Sequence, residues 1–261
     1  MEREVQTLIE YAGESIHCVY ADDVILLKKI GENWSSMQGF EKPDIIIPIG
    51  EKLLAIEHFE FDASSVTKKG SIDKRELATR NRKFDKLIQE QDSFENPLIA
   101  NGTSDCVYTS ENYIKNFKAS FASHYEKIAD YKKHLVNEKK AKSISDIIMC
   151  FFVVDTTPLG CYYMEDNMKY FIAFQVIECL DIISKSNDVD CFFFGFFDGQ
   201  RNSLEFLSNR IEVIEYIKTI RMLDFKVDEF MCFHPQEIRF CYKVEGPTSC
   251  RPPSKKARDF T

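Results

Sequence analysis

Pro43–Asp62, PDIIIPIGEKLLAIEHFEFD, decides how the rest of the chain is read. It holds two apolar runs, Ile45–Ile49 and Leu53–Ile56, too short for helices and rich in β-branched residues, so both read as strands. Gly50-Glu51 lies between them, and glycine at the first central position specifies a type II′ hairpin turn. With a two-residue loop Ile49 faces Lys52, paired residue numbers keep a constant sum, and Asp44 falls directly opposite Glu57. Opposed residues share a face, with Cβ atoms roughly 4.5–5.5 Å apart. Two carboxylates held that close repel each other unless a cation divides them, so the pattern points to a divalent-metal site. A three-residue loop would put the two acids on opposite faces and leave them as ordinary strand-end acids.

A Pro-Asp at one strand start, followed by a short hairpin and an apolar strand running into Glu, resembles the PD-(D/E)xK nuclease superfamily. Pro43, Asp44, Leu54-Ala55-Ile56 and Glu57 carry the resemblance. It implies an α/β, restriction-endonuclease-like core: a central mixed sheet flanked by helices, here with helical elaborations. It also implies that Asp44 and Glu57 hold Mg²⁺ or Mn²⁺ and that the protein hydrolyses phosphodiester bonds in DNA, or alternatively RNA. A glutamate of the first helix often joins the metal in such enzymes, which nominates Glu10. Relatives of this type often dimerise or work with a protein partner, in defence or mobile-element settings.

The chain departs from the pattern at the motif lysine, whose position is held by Phe59. Three substitutes are open. Lys42 falls opposite Phe59 if the pairing continues outward, and its flexible stem reaches the face of the acids. Lys68 and Lys69 follow the strand closely. His58 and Glu60 stand within the motif but alternate to the other face, unless a bulge re-aims the strand. The missing lysine also fits a catalytically inactive module that keeps the fold to bind nucleic acid or a partner protein.

The net charge of -8 argues superficially against nucleic acid, but the distribution is uneven. Val66–Lys86 carries eight basic residues, among them Lys68, Lys69, Lys74, Arg75, Arg80, Arg82 and Lys83, against three acids. Glu111–Lys142 carries eight lysines against four acids. A phosphate-binding surface needs such a concentrated stripe more than a positive total, although charge runs also occur as plain solvated helix faces. Nine cysteines without a CxxC pair read as reduced core thiols of a cytoplasmic protein, which argues against a zinc site or a disulfide framework. No apolar run is long enough for a membrane span, and the N-terminus has no signal-peptide core.

The remaining chain reads as α/β. Helices are expected over Glu2–Ser15, Ser71–Gln91, Ser110–Lys142, Tyr170–Ser184 and Asn202–Met222, with strands at Val24–Ile30, Ile147–Val154, Cys191–Phe197 and Ile238–Val244. The strands at 147 and 191, separated by a helix, predict a parallel β-α-β crossover. Each ends in an aspartate, Asp155 and Asp198, and this pair supports a different enzyme, a Mg²⁺-dependent phosphohydrolase. No GxGxxG, GxxxxGK[ST] or GxSxG loop accompanies them. With no visible linker, residues 1–245 read as a single nuclease-like domain and 246–261 as a disordered basic tail.

Overall fold

The computed structural model describes residues 2–12, 16–18, 20, 23–64, 66–67, 70–71, 75, 78–79, 82, 98–103, 109–157, 173–197, 202–221 and 237–242. The chain divides into two compact units. Met1–Ser64 with Tyr108–Cys232 makes the first, and Ser65–Val107 with Phe233–Thr261 the second.

In chain order the elements are helix α1 (Glu2–Ala12), strand β1 (His17–Cys18), helix α2 (Val24–Glu32) and strands β2 (Gln38–Gly39), β3 (Ile45–Ile49) and β4 (Lys52–Phe61). Strands β5 (Val66–Thr67), β6 (Gly70–Ser71) and β7 (Leu98–Thr103) follow. Then come helices α3 (Ser110–Tyr125) and α4 (Ile128–Asn137), strand β8 (Ile147–Asp155) and helix α5 (Ile177–Lys185). Strands β9 (Cys191–Phe197) and β10 (Asn202–Ser208), helix α6 (Ile211–Arg221) and strand β11 (Glu237–Tyr242) complete the described chain.

The first unit is built on a seven-stranded mixed sheet, ordered β1-β10-β9-β8-β4-β3-β2. It is an α/β fold with helices flanking the sheet. The predicted hairpin is present: β3 and β4 pair antiparallel from Ile45↔Ile56 to Ile49↔Lys52. Gly50 turns with φ 61° and Glu51 keeps a negative φ, the combination a type II′ turn requires. The predicted crossover is present too, with β8 parallel to both β4 and β9.

Alternation along the strands sorts the core into two faces. Leu54 and Ile56 of β4, Cys150 and Phe152 of β8 and Phe193 of β9 pack with Leu8 and Ala12 of α1 and Ile30 of α2. On the other face Phe59, Phe61, Phe151 and Phe192 meet Tyr113, Phe117 and Phe121 of α3 through edge-on and stacked ring contacts. A sheet covered on both faces explains why β8 and β9 read as unbroken apolar runs.

Three expectations are corrected. Val24–Ile30 is part of helix α2 rather than a strand, because Leu26, Leu27 and Ile30 recur at helical spacing against the core while Val24 and Ile25 face solvent. Asn202–Ser208 is strand β10 rather than the start of a helix. Leu204 and Phe206 alternate into the core, and Ile211, at the start of α6, is 64% exposed. The long helix from Ser110 is broken at Glu126-Lys127, giving α3 and α4.

The second unit contains two antiparallel ladders, β5 with β6 and β7 with β11. The strand expected at Ile238–Val244 is β11 of this unit. Most of the helix expected over Ser71–Gln91, and the tail 246–261, lie outside the described residues. Among the described residues no helix is long and apolar enough to cross a membrane.

Candidate functional site

The hairpin register carries Asp44, the residue before β3, opposite Glu57 of β4. The backbone N–H of His58 donates to Asp44 Oδ2 at 2.8 Å, which pins the aspartate to the middle of the neighbouring strand. Asp44 is half-buried and Glu57 is buried. Burial first, and then the charge of Glu57, pushes the Asp44 carboxyl up to about 6, against the opposing pull of the His58 N–H and His124.

Glu57 points beneath the junction of α3 and α4. Its Oε1 lies 2.7 Å from His124 Nδ1, in the last turn of α3. The same oxygen accepts from the Tyr131 hydroxyl, in the first turn of α4, at 2.8 Å. On an unbroken helix residues seven apart are separated by roughly 10 Å along the axis. The break at Glu126-Lys127 lets both side chains converge on one oxygen. Burial, followed by the hydrogen bond to Glu57, pushes the Tyr131 phenol up, so it remains a donor near neutrality. An ionised Glu57 only accepts hydrogen bonds, so Nδ1 is the protonated nitrogen of His124 in that state.

Phe59, at the motif-lysine position, is buried and stacks on the His124 ring with centroids 4.9 Å apart and planes 20° apart. The apolar residue in place of the lysine thus forms the platform for an imidazole supplied by α3.

Lys42 does not stand opposite Phe59, because β3 does not extend that far. The Phe40 N–H donates to the Asp44 carbonyl at 2.7 Å and Gly39 already pairs with Ile45, so the chain reverses into β2. Lys42 lies in that reversal, exposed, 3.9 Å from the Glu41 carboxylate. No bulge re-aims β4, whose pairing with β8 is continuous from Leu53 to Phe61. Glu60 and His58 therefore stay on the α1 face. Glu60 approaches Arg3 at 4.0 Å, and the His58 ring lies tilted over Phe152 with burial pushing its imidazole down. Glu10 is exposed on α1, accepting from the Gln6 amide at 3.2 Å, and is not gathered with Asp44 and Glu57.

Of the basic stripe after β4, Lys68, Lys69, Lys74, Arg80 and Lys83 lie outside the described residues. Arg75 and Arg82 are exposed residues of the second unit. Asp155 closes β8 buried, accepting from the Thr157 N–H at 2.9 Å, and burial pushes its carboxyl up to about 6. Its proposed companion Asp198 lies outside the described residues.

His124 and Tyr131 are the site residues that sequence reasoning did not nominate. Both lie within Ser110–Lys142, which the sequence marks as one helix, and His124 stands between the aromatic residues Phe121 and Tyr125. The available signal was a histidine and a tyrosine seven apart, in a chain with five histidines.

Among the described residues no group of three or more His, Cys, Asp or Glu side chains is disposed to hold a metal ion. The hairpin register leaves Asp44 and Glu57 opposite each other as the two carboxylates that could serve as ligands of a hard cation. No protein-family model, curated protein or solved structure matches the chain.

Proposed function

We propose that the first unit is a divergent metal-dependent nuclease of the PD-(D/E)xK type, hydrolysing phosphodiester bonds in DNA or RNA. The observation that carries this reading is the opposition of Asp44 and Glu57 across a tight hairpin, where the charge of Glu57 adds to the cost of ionising Asp44. Asp44 and Glu57 would hold Mg²⁺ or Mn²⁺, which when bound supplies an acidified water and neutralises charge on the scissile phosphate. Tyr131 and His124 fix the Glu57 carboxylate so that its orientation is set before substrate arrives. His124 takes over the missing lysine's task, supplied from α3 and stacked on Phe59. The crossover from β4 through α3 and α4 to β8 is compatible with the topology that such a nuclease requires.

The test is calorimetric titration of Mg²⁺ and Mn²⁺ with parallel cleavage of labelled DNA and RNA. Asp44→Asn and Glu57→Gln are each expected to lose metal binding and cleavage while keeping the melting temperature within a few degrees of wild type. Normal cutting by both variants removes the hairpin from the mechanism. A second reading, a non-catalytic binding module, is favoured by the burial of Phe59 and by the commitment of both His124 and Tyr131 to one Glu57 oxygen. Nucleic-acid binding without metal uptake or cleavage under any condition would select it.

A further inference from the structure

Helix α4 buries Ile128, Tyr131 and Leu135. At 100° per residue that leaves two flanks, with Lys127 and His134 on one and Lys132 on the other. The His134 ring lies 5.7 Å from the ring of Phe40, so the first flank faces the reversal at 40–44 that carries Asp44. Lys132 points elsewhere, donating to the Asp188 carbonyl at 3.0 Å.

Beyond α4 the chain folds back at Lys139, with φ 56°, and the Lys140 N–H bonds to the Leu135 carbonyl at 2.9 Å. Lys140 Nζ then stands 5.6 Å from the centroid of Phe40. Lys42 is exposed in the same reversal. Two lysines from different segments therefore border Asp44's loop, Lys42 within it and Lys140 over Phe40, and Lys127 continues the same α4 flank at the helix junction. Among the described residues Lys127 and Lys140 make no ion pair, and Lys42 has only the exposed, screened contact with Glu41. From Lys127 to Lys142 six lysines face two acids, Asp130 and Glu138.

We propose that Lys42, Lys127 and Lys140 form a phosphate-binding rim that draws a nucleic-acid strand across Asp44. The inference rests on reading Asp44 and Glu57 as a hydrolytic site, and it names the surface by which that site takes its substrate. The α4 flank spans about 15 Å, enough for roughly four phosphates at the spacing of one strand. Ammonium groups on flexible stems suit phosphate oxygens as point charges and read no sequence.

The experiment is fluorescence anisotropy in EDTA, so that binding is read without cleavage. The probes are fluorescein-labelled oligothymidylate, oligouridylate and a DNA duplex, with polyglutamate as a competitor. Lys42→Gln/Lys127→Gln/Lys140→Gln is expected to bind at least tenfold more weakly at low salt. Its log-log salt slope should be smaller by about two, the counterions released by three single-strand contacts. Lys28→Gln/Lys29→Gln, on the solvent side of α2, is expected to bind as wild type does.

Undiminished binding by the triple variant, or an equal loss in the α2 control, overturns the rim. So does wild-type protein that binds no probe at low salt. Displacement by polyglutamate as efficient as by nucleic acid would assign the surface to an acidic protein partner instead. The two readings fail separately: rim-dependent binding in a protein that cuts nothing with either metal discards the hydrolytic site alone. Metal-dependent cutting that the triple variant retains in full discards the rim alone.

Discussion

At the residue scale the informative substitution is the phenylalanine where the motif has lysine. Phe59 is buried among Phe121 and Phe151, and an ammonium there would be desolvated without a partner. Its flat face instead orders His124, whose Nδ1 is tied to Glu57. If His124 does the lysine's work, His124→Ala should slow cleavage about 10²-fold, the scale of losing one placed electrostatic group. Metal affinity measured by calorimetry should change far less, because Asp44 and Glu57 remain. Phe59→Lys in the His124→Ala background returns a cation to the motif position, in space the imidazole vacates. Partial recovery of the rate in the double variant is expected. A double variant that folds, binds metal and stays as slow as His124→Ala would show that the imidazole's contribution is not one a cation can replace.

At the element scale the same locality decides what could be read in advance. The β3-β4 hairpin was legible because its register follows from two adjacent residues, a glycine able to take φ 61° and its neighbour. That register alone placed Asp44 against Glu57. The β8-α5-β9 crossover was legible from two apolar runs that only a doubly covered sheet accommodates. Helix α2 and strand β10 were misread because short β-branched or leucine-rich runs satisfy both periods, and tertiary packing chose between them. His124 and Tyr131 reach Glu57 from 67 and 74 residues away, and no local pattern encodes such a meeting.

One packing detail of these elements is directly testable. Gly195 of β9 lies beneath Tyr11 of α1, where a Cβ would stand 2.8 Å from Cδ1 of the ring. Gly195→Ala must push α1 off the sheet or turn the ring from its position against Phe152. A loss of about 1–3 kcal/mol is expected in urea unfolding. Tyr11→Leu in the same background should recover part of it, since the smaller side chain leaves room for the methyl group. An unchanged unfolding midpoint in Gly195→Ala would mean that α1 is not seated on β9 as described.

At the scale of the whole molecule, two carboxyls carry the stability from acid to neutral pH in an unusual direction. Asp44 and Asp155 are both raised to about 6, chiefly by burial, from the ordinary aspartate value of 3.8. Between those values the folded protein binds protons that the unfolded chain has released, so stability falls as pH rises and levels off above about 6. Below about 4 both states are protonated and the penalty is absent. For buried Asp155 the shift corresponds to at most about 3 kcal/mol, and for half-exposed Asp44 solvent screening leaves a smaller share. Other groups titrate in the same range. Asp181, for one, is lowered by its hydrogen bond to Lys218 and contributes with the opposite sign. The diagnostic is therefore the difference between wild type and Asp155→Asn in urea unfolding at pH 4 and pH 7. Asparagine keeps an oxygen to accept from the Thr157 N–H but cannot ionise. The variant should gain on wild type by about 2 kcal/mol between the two pH values, with most of the gain below pH 6. Parallel profiles for the two proteins would mean that Asp155 titrates alike in the folded and unfolded chain, and that the end of β8 is open to water.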